Sequence, residues 1–216
     1  QKVGTAVVNY AGNYPGAVEG ELWYDSTNKD FKYLYPNVTS AGSWRTGNNM
    51  NTARLALGGV GIQTAALAIS GTLGPAVTGV VESYDGISWT ETTDVNTARR
   101  YLAAAGTYTS ALAFGGDRPA DTPSIKGSTE SWNGSNWTEV NDLNTARMQL
   151  AGAGVSNTSA LAFGGIQTAR NAQTESWNGT NWTEVNDLND DRRDLGGDGT
   201  ITSALAFGGD APGNTG

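Results

Sequence analysis

The sequence predicts an all-β protein, a β-propeller of four-stranded antiparallel blades, and three observations carry that prediction. The chain of 216 residues repeats itself: "NTAR" stands at Asn51, Asn96 and Asn144 and a worn copy, "NDDR", at Asn189, giving steps of 45, 48 and 45 residues. Two further markers keep the same phase. They are "TAALAISG" from Thr64 with "TSALAFGG" from Thr109, Thr158 and Thr202, and the tryptophan of "GSW", "ISW", "SNW" and "TNW" at Trp44, Trp89, Trp137 and Trp182. Agreement of several markers at a period in the 40s defines a repeat architecture. No copy carries the helical period, whereas each complete copy carries four short runs suited to strands.

The third copy displays the elements in order. "RMQLAGAGV" from Arg147 opens as a run of small residues, the first strand. "SALAFGG" from Ser159 is an apolar run stopped by two glycines, which supply the positive φ that a sharp exit needs. "TESWNG" from Thr174 and "NWTEV" from Asn181 alternate, and the Asn-Gly between them signals a turn. Asn-Asp-Leu-Asn then breaks the pattern before the next copy. Four strands in about 45 residues make one propeller blade.

Complete copies run over residues 54–92, 99–140 and 147–185, while the fourth, 192–209, holds two strands only. The N-terminal part offers the other two: "ELWYD" from Glu21 resembles "ESYDG", and "GSWRTG" from Gly42 stands in the phase of "SNWTEV". The expectation is therefore four blades in residues 21–216, the last a composite of 192–209 with 21–47, preceded by an extended segment over residues 1–20. Alternation at Phe31, Tyr33 and Tyr35 predicts an added strand or hairpin arm. The competing expectation is a ring completed by residues or subunits outside this chain.

Composition narrows function by exclusion. With 21 acidic and 13 basic residues the formal charge is −8, and the scattered cations form no stripe able to neutralise a phosphate backbone, so nucleic acid is not expected as a partner. The chain has neither cysteine nor histidine, which removes disulfides, thiolate and imidazole chemistry and the usual zinc and copper ligand sets. No apolar run approaches the ~18 residues of a spanning helix, so membrane insertion is not expected. The chain starts at Gln1 rather than Met, which reads as a processed or partial product. With no paired-carboxylate or metal-ligand signature either, we expect no enzyme activity, no cofactor and no metal.

The order "R … ALAFGG … ESWNG..W", with "ESYDGISW" as its variant at Glu82 to Trp89, resembles the kelch repeat over about residues 44–209. The resemblance implies propeller blades, tryptophans that pack one blade on the next, and no particular activity, because kelch repeats serve many functions. The near-identical copies, their Asn, Thr and Gly richness, and the leading "GELWYDSTNKDFKYLYP" are similar to kelch-type structural and tail-fibre proteins of marine bacteriophages. That likeness implies a virion appendage, a homo-oligomeric assembly, and partners among other virion proteins or host receptors and glycans. The alternative is a secreted or surface lectin-like propeller.

Each candidate residue has a structural and a functional reading. Trp132 with Trp137, and Trp177 with Trp182, are either sugar-stacking platforms or interblade packing. Arg54, Arg99, Arg147 and Arg192 either ring an anion or donate to carbonyls of an adjacent blade. Asp187, Asp190, Asp191, Asp194 and Asp198 are either calcium ligands or a solvated acidic surface, and their spacing matches no calcium loop. "SYDGISW" from Ser83 resembles the Asp-box of sialidases, itself a structural turn. The links after the second strands differ between copies, and a rigid scaffold with variable loops is the usual layout of a binding surface. The expected contact rim is therefore Asp117 to Gly127 with Ile166 to Gln173, carrying Asp117, Arg118, Asp121, Lys126, Gln167, Arg170 and Asn171.

Overall fold

The alternating runs and glycine stops fold as strands. A computed structural model describes residues 8–10, 22–33 and 46–213, and no helix occurs among them. The chain divides into two compact units, residues 1–46 and 47–216.

In the first unit β1 (Val8–Tyr10) pairs in parallel with β2 (Leu22–Asp25), which pairs antiparallel with β3 (Asp30–Tyr33). The alternation at Phe31 and Tyr33 thus forms a strand. The Asp25 carboxylate accepts the backbone N–H of Thr27 at 2.9 Å and of Asn28 at 3.3 Å, an Asx-type closure of the β2–β3 turn. Glu21, Tyr35 and Trp44 lie outside the described residues.

The second unit repeats one antiparallel pattern. The first sheet has the order β4 (Gly58–Ile62), β5 (Ala65–Ile69), β8 (Val81–Tyr84), β9 (Trp89–Glu91), with the small hairpin of β6 (Thr72–Leu73) and β7 (Ala76–Val77) between β5 and β8. The second sheet is β10 (Ala103–Thr107), β11 (Ser110–Phe114), β12 (Thr129–Trp132), β13 (Trp137–Val140). The third is β14 (Ala151–Ser156), β15 (Ser159–Phe163), β16 (Thr174–Trp177), β17 (Trp182–Val185). Last comes a pair, β18 (Gly196–Thr200) and β19 (Ser203–Phe207).

Turn chemistry explains the boundaries. Asn133 Oδ1 accepts the N–H groups of Ser135 and Asn136 at 3.0 and 2.9 Å, while Gly134 at φ 94° completes the β12–β13 turn. Asn178 does the same after β16, and Asp85 after β8, where the Asp-box-like stretch is likewise a turn.

Small residues in the first strands let the sheets converge. β4 packs on β10, β10 on β14 and β14 on β18, and these four strands together line a cavity of about 140 Å³. No packing of comparable extent joins β18 back to β4. A Cβ on Gly152 would meet the Phe114 ring at 2.7 Å and the Ala104 carbonyl oxygen at 2.8 Å, so only glycine fits beneath that phenylalanine. Apolar cores fill the spaces between sheets: Leu67 and Ile69 lie with Trp132 and Trp137, Leu112 and Phe114 with Trp177 and Trp182, and Phe163 with Leu195 and Ala206.

Backbone hydrogen bonds run the same way across each junction. Tyr101 N–H donates to the Ala56 carbonyl at 2.8 Å, Gln149 to Tyr101 at 2.9 Å and Asp194 to Gln149 at 2.9 Å. All four of these residues sit at φ between 54° and 56°. In the opposite sense, the N–H groups of Gly71, Gly116 and Gly165 donate to the carbonyls of Arg99, Arg147 and Arg192 in the following copy, at 3.0, 2.9 and 2.8 Å.

Candidate functional site

The repeated arginines are buried inside their own sheets. Arg54 pairs with Glu82 at 3.1 Å, Arg99 with Glu130 at 3.4 Å and Arg147 with Glu175 at 3.0 Å, with these side chains 0 to 2% exposed. Arg54, Arg99 and Arg147 donate to the carbonyls of Ala68, Ala113 and Ala162, each on the second strand of the arginine's own copy. The expected donation to an adjacent copy is therefore corrected: the arginine is drawn to the carboxylate on its own third strand. Burial pulls the pKa of all three guanidinium groups down, opposed by the neighbouring glutamates.

Each glutamate also accepts backbone N–H groups from the segment entering its sheet. Glu82 takes those of Asn51 and Thr52 at 2.6 and 3.1 Å, Glu130 those of Asn96 and Thr97 at 2.7 and 3.1 Å, and Glu175 those of Asn144 and Thr145 at 2.7 and 3.2 Å. The same asparagines reach with their side-chain amides to the carbonyls of Trp89, Trp137 and Trp182. The arrangement is a structural clasp whose arginine and glutamate side chains are closed to solvent, while the asparagines lie at the surface. In the fourth copy Arg192 instead donates to the Gly208 carbonyl at 2.9 Å and meets the exposed Asp190 at 3.4 Å.

Trp132, Trp137, Trp177 and Trp182 are all buried, so their faces are not available to stack a sugar. Trp89 is half-buried, and its indole N–H donates to the Asn48 carbonyl at 3.1 Å.

The links after β11 and β15 lie against the segments joining successive sheets. Leu143 N–H donates to the Gly127 carbonyl at 3.0 Å and Leu188 N–H to that of Ala172 at 3.0 Å, so links and connectors form one rim. Asp117 is buried and paired with Arg100 at 2.9 Å. Asp121 meets Lys126 at 2.8 Å and Arg118 at 3.6 Å, and its carboxyl is held below the ordinary range, chiefly by the hydrogen bond from Lys126. Arg170 forks onto Asp210, with nitrogen–oxygen distances of 2.9 to 3.2 Å, and Arg193 joins the same carboxylate at 3.0 Å. These bonds depress the Asp210 pKa and raise that of Arg170. Asn171 donates its side-chain amide to Gln173 Oε1 at 2.8 Å, and the Gln167 N–H donates to the Ala169 carbonyl at 3.2 Å. The rim thus offers two charge clusters, each with one carboxylate held between two cationic side chains.

Of the acidic set, Asp187 accepts the Thr174 N–H at 3.2 Å, as Asp94 and Asp142 do for Val81 and Thr129. Among the described residues no group of three or more acidic, histidine or cysteine side chains is placed to hold a metal ion. Sequence reasoning missed the glutamate clasp. The signal was available as an acid recurring 28, 31 and 28 positions after Arg54, Arg99 and Arg147. No family model matches the chain, and no curated protein matches it in sequence.

Proposed function

We propose that the chain is a non-enzymatic structural and binding module of a virion, part of a tail fibre or comparable appendage that contacts the host surface or another virion protein. One contrast carries the reading. Three sheets share one strand order and one register apart from a bulge between Gly154 and Ser156, while the links after β5, β11 and β15 differ in length, composition and internal pairing. Such a rigid frame with individual loops suits recognition by charge complementarity, with Arg118, Asp121, Lys126, Arg170 and Asn171 as contact residues and Asp117 and Gln167 as their support. The sheets read as kelch-like blades of a propeller, the fourth completed by residues 21–47 or, in the competing reading, by residues or subunits outside this chain. The common cavity lined by β4, β10, β14 and β18 supports that reading. The virion assignment rests on the near-identity of the copies and their likeness to phage appendage proteins. The lectin alternative loses its main support with the tryptophan faces buried.

Replacing residues 118–126 by a short Gly/Ser link tests the proposal. The expected result is an unchanged thermal transition with loss of attachment to host cells or to the purified virion. Full attachment by the folded variant removes the rim from function.

A further inference from the structure

The series of sheets begins and ends with unlike surfaces, and the two surfaces fit each other. At each internal junction the last residue of a second strand lies over a first-strand residue of the next sheet. Phe114 covers Gly152 and Phe163 covers Gly197, with a built Cβ meeting those rings at 2.7 and 2.5 Å. Where the next sheet has Ala104 instead, the covering residue is the smaller Ile69. Phenylalanine is thus matched with glycine, and isoleucine with alanine.

By the same repeat phase the partner of Phe207 is position 59, and it is glycine. Both halves are open. Phe207 is 51% exposed and Leu205 63%, with the Phe207 ring turned toward its own Gly196. At Gly59 an added Cβ would meet nothing closer than 3.8 Å. Around it the outer face of the first sheet forms a groove of about 440 Å³ lined by Met50, Leu57, Ala66, Ala68 and Trp89. Trp89 pairs with Tyr84 at 4.9 Å, as Trp182 pairs with Trp177 at 5.3 Å where Phe114 arrives edge-on. The hydrogen bonds agree. Among the described residues Ala56 N–H and the Arg54 carbonyl lack the partners that their counterparts have, and so do the Asp194 carbonyl and Gly209 N–H at the far end.

We infer that the face of β18–β19, through Leu205 and Phe207, seats in the β4–β9 groove of a second copy of the chain, joining copies head to tail. This contact continues the sheet-to-sheet interface already present inside the chain, with Phe207 over Gly59, Gly209 N–H on the Arg54 carbonyl and Ala56 N–H on that of Asp194. Because the two surfaces differ, the contact is heterologous and propagates into a ring or a filament. The inference rests on the sheet contacts and not on the virion reading.

The test uses the full chain and two variants, each blocked on one side. Gly59→Val fills the hole, and Phe207→Asp removes the knob; both positions are open in the single chain, so both variants keep the wild-type thermal transition. In sedimentation velocity the wild type is expected to associate as its concentration rises, and each variant alone to lose the associated species. Mixed, the two variants supply one intact knob and one intact hole, and are expected to form a 1:1 dimer that grows no further. A wild type that stays monomeric overturns the inference in favour of closure within one chain, as does a mixture with no dimer or single variants that associate like wild type. Attachment scored on the rim deletion is independent of these outcomes, so either proposal can fall alone.

Discussion

The pentapeptide "SALAF" occurs three times, and its fate differs between the middle of the molecule and its end. In β11, Ala111 through Phe114 are fully buried, and in β15 the same residues are buried or nearly so. In β19, four of the five residues are exposed. Composition, pairing to the first strand and the glycine stop are alike in all three. What differs is that, among the described residues, β19 has neither a third strand beside it, as β11 and β15 have in β12 and β16, nor a following sheet. Burial here is set by the neighbours and not by the pentapeptide, which is the energetic logic of a repeat array.

The largest expected effect separates the two phenylalanines. Phe114→Ala empties a junction held on both sides and is expected to cost about 3–5 kcal/mol. Phe207→Ala, measured in dilute solution, is expected to cost about 0.5 kcal/mol or less, the range for a surface change. Denaturant midpoints of the two variants give the difference, and equal losses would mean that the last pair is covered.

A smaller effect separates the arginine clasps. Glu175→Gln leaves the buried Arg147 guanidinium without its counter-charge and is expected to cost about 1–3 kcal/mol. Arg192→Gln removes a partly exposed contact with Asp190 and an exposed bond to the Gly208 carbonyl, and is expected to change stability by under about 1 kcal/mol. Thermal melts at one pH order the two, and a larger loss at Arg192 would reverse the assignment of which clasp is worn.

The smallest effect concerns acid. Because its folded pKa is depressed by Arg170 and Arg193, Asp210 stabilises the fold at pH above the ordinary carboxylate value of about 3.9. That stability is lost as pH falls through the depressed value, where the protonated carboxyl releases both arginines. Amide exchange in residues 166–173 is expected to rise in that window before the sheets open, and simultaneous opening of both would show that the rim has no separate acid transition.

Much of the strand plan was legible because it is written in local chemistry: Asn-Gly for the β12–β13 and β16–β17 turns, Gly-Gly after β11 and β15, and small residues in β10 and β14. The rim loops were legible through their unequal lengths. The glutamate clasp was not, because Glu130 stands in an alternating run where a charged residue reads as solvent-facing; its burial depends on Arg99, which lies 31 positions earlier. Sequence separates β19 from β11 only through the two strands missing after it, since the letters of the two strands are the same. The backbone ladder through Ala56, Tyr101, Gln149 and Asp194 is equally silent, because four unlike side chains share one conformation and only the main chain is read.

The clasp of Asn144 and Thr145 on Glu175 has a kinetic consequence. It ties the beginning of a copy to its third strand across 31 and 30 residues, and the Asn144 amide reaches the fourth strand at Trp182 across 38. The longest loop that must close to form a clasp is therefore shorter than one copy, whatever the number of copies in the chain. As loop closure contributes to the search time for non-local β pairing, this span stays that of a single repeat, and each copy can close its clasp as soon as its own tryptophan strand emerges during synthesis.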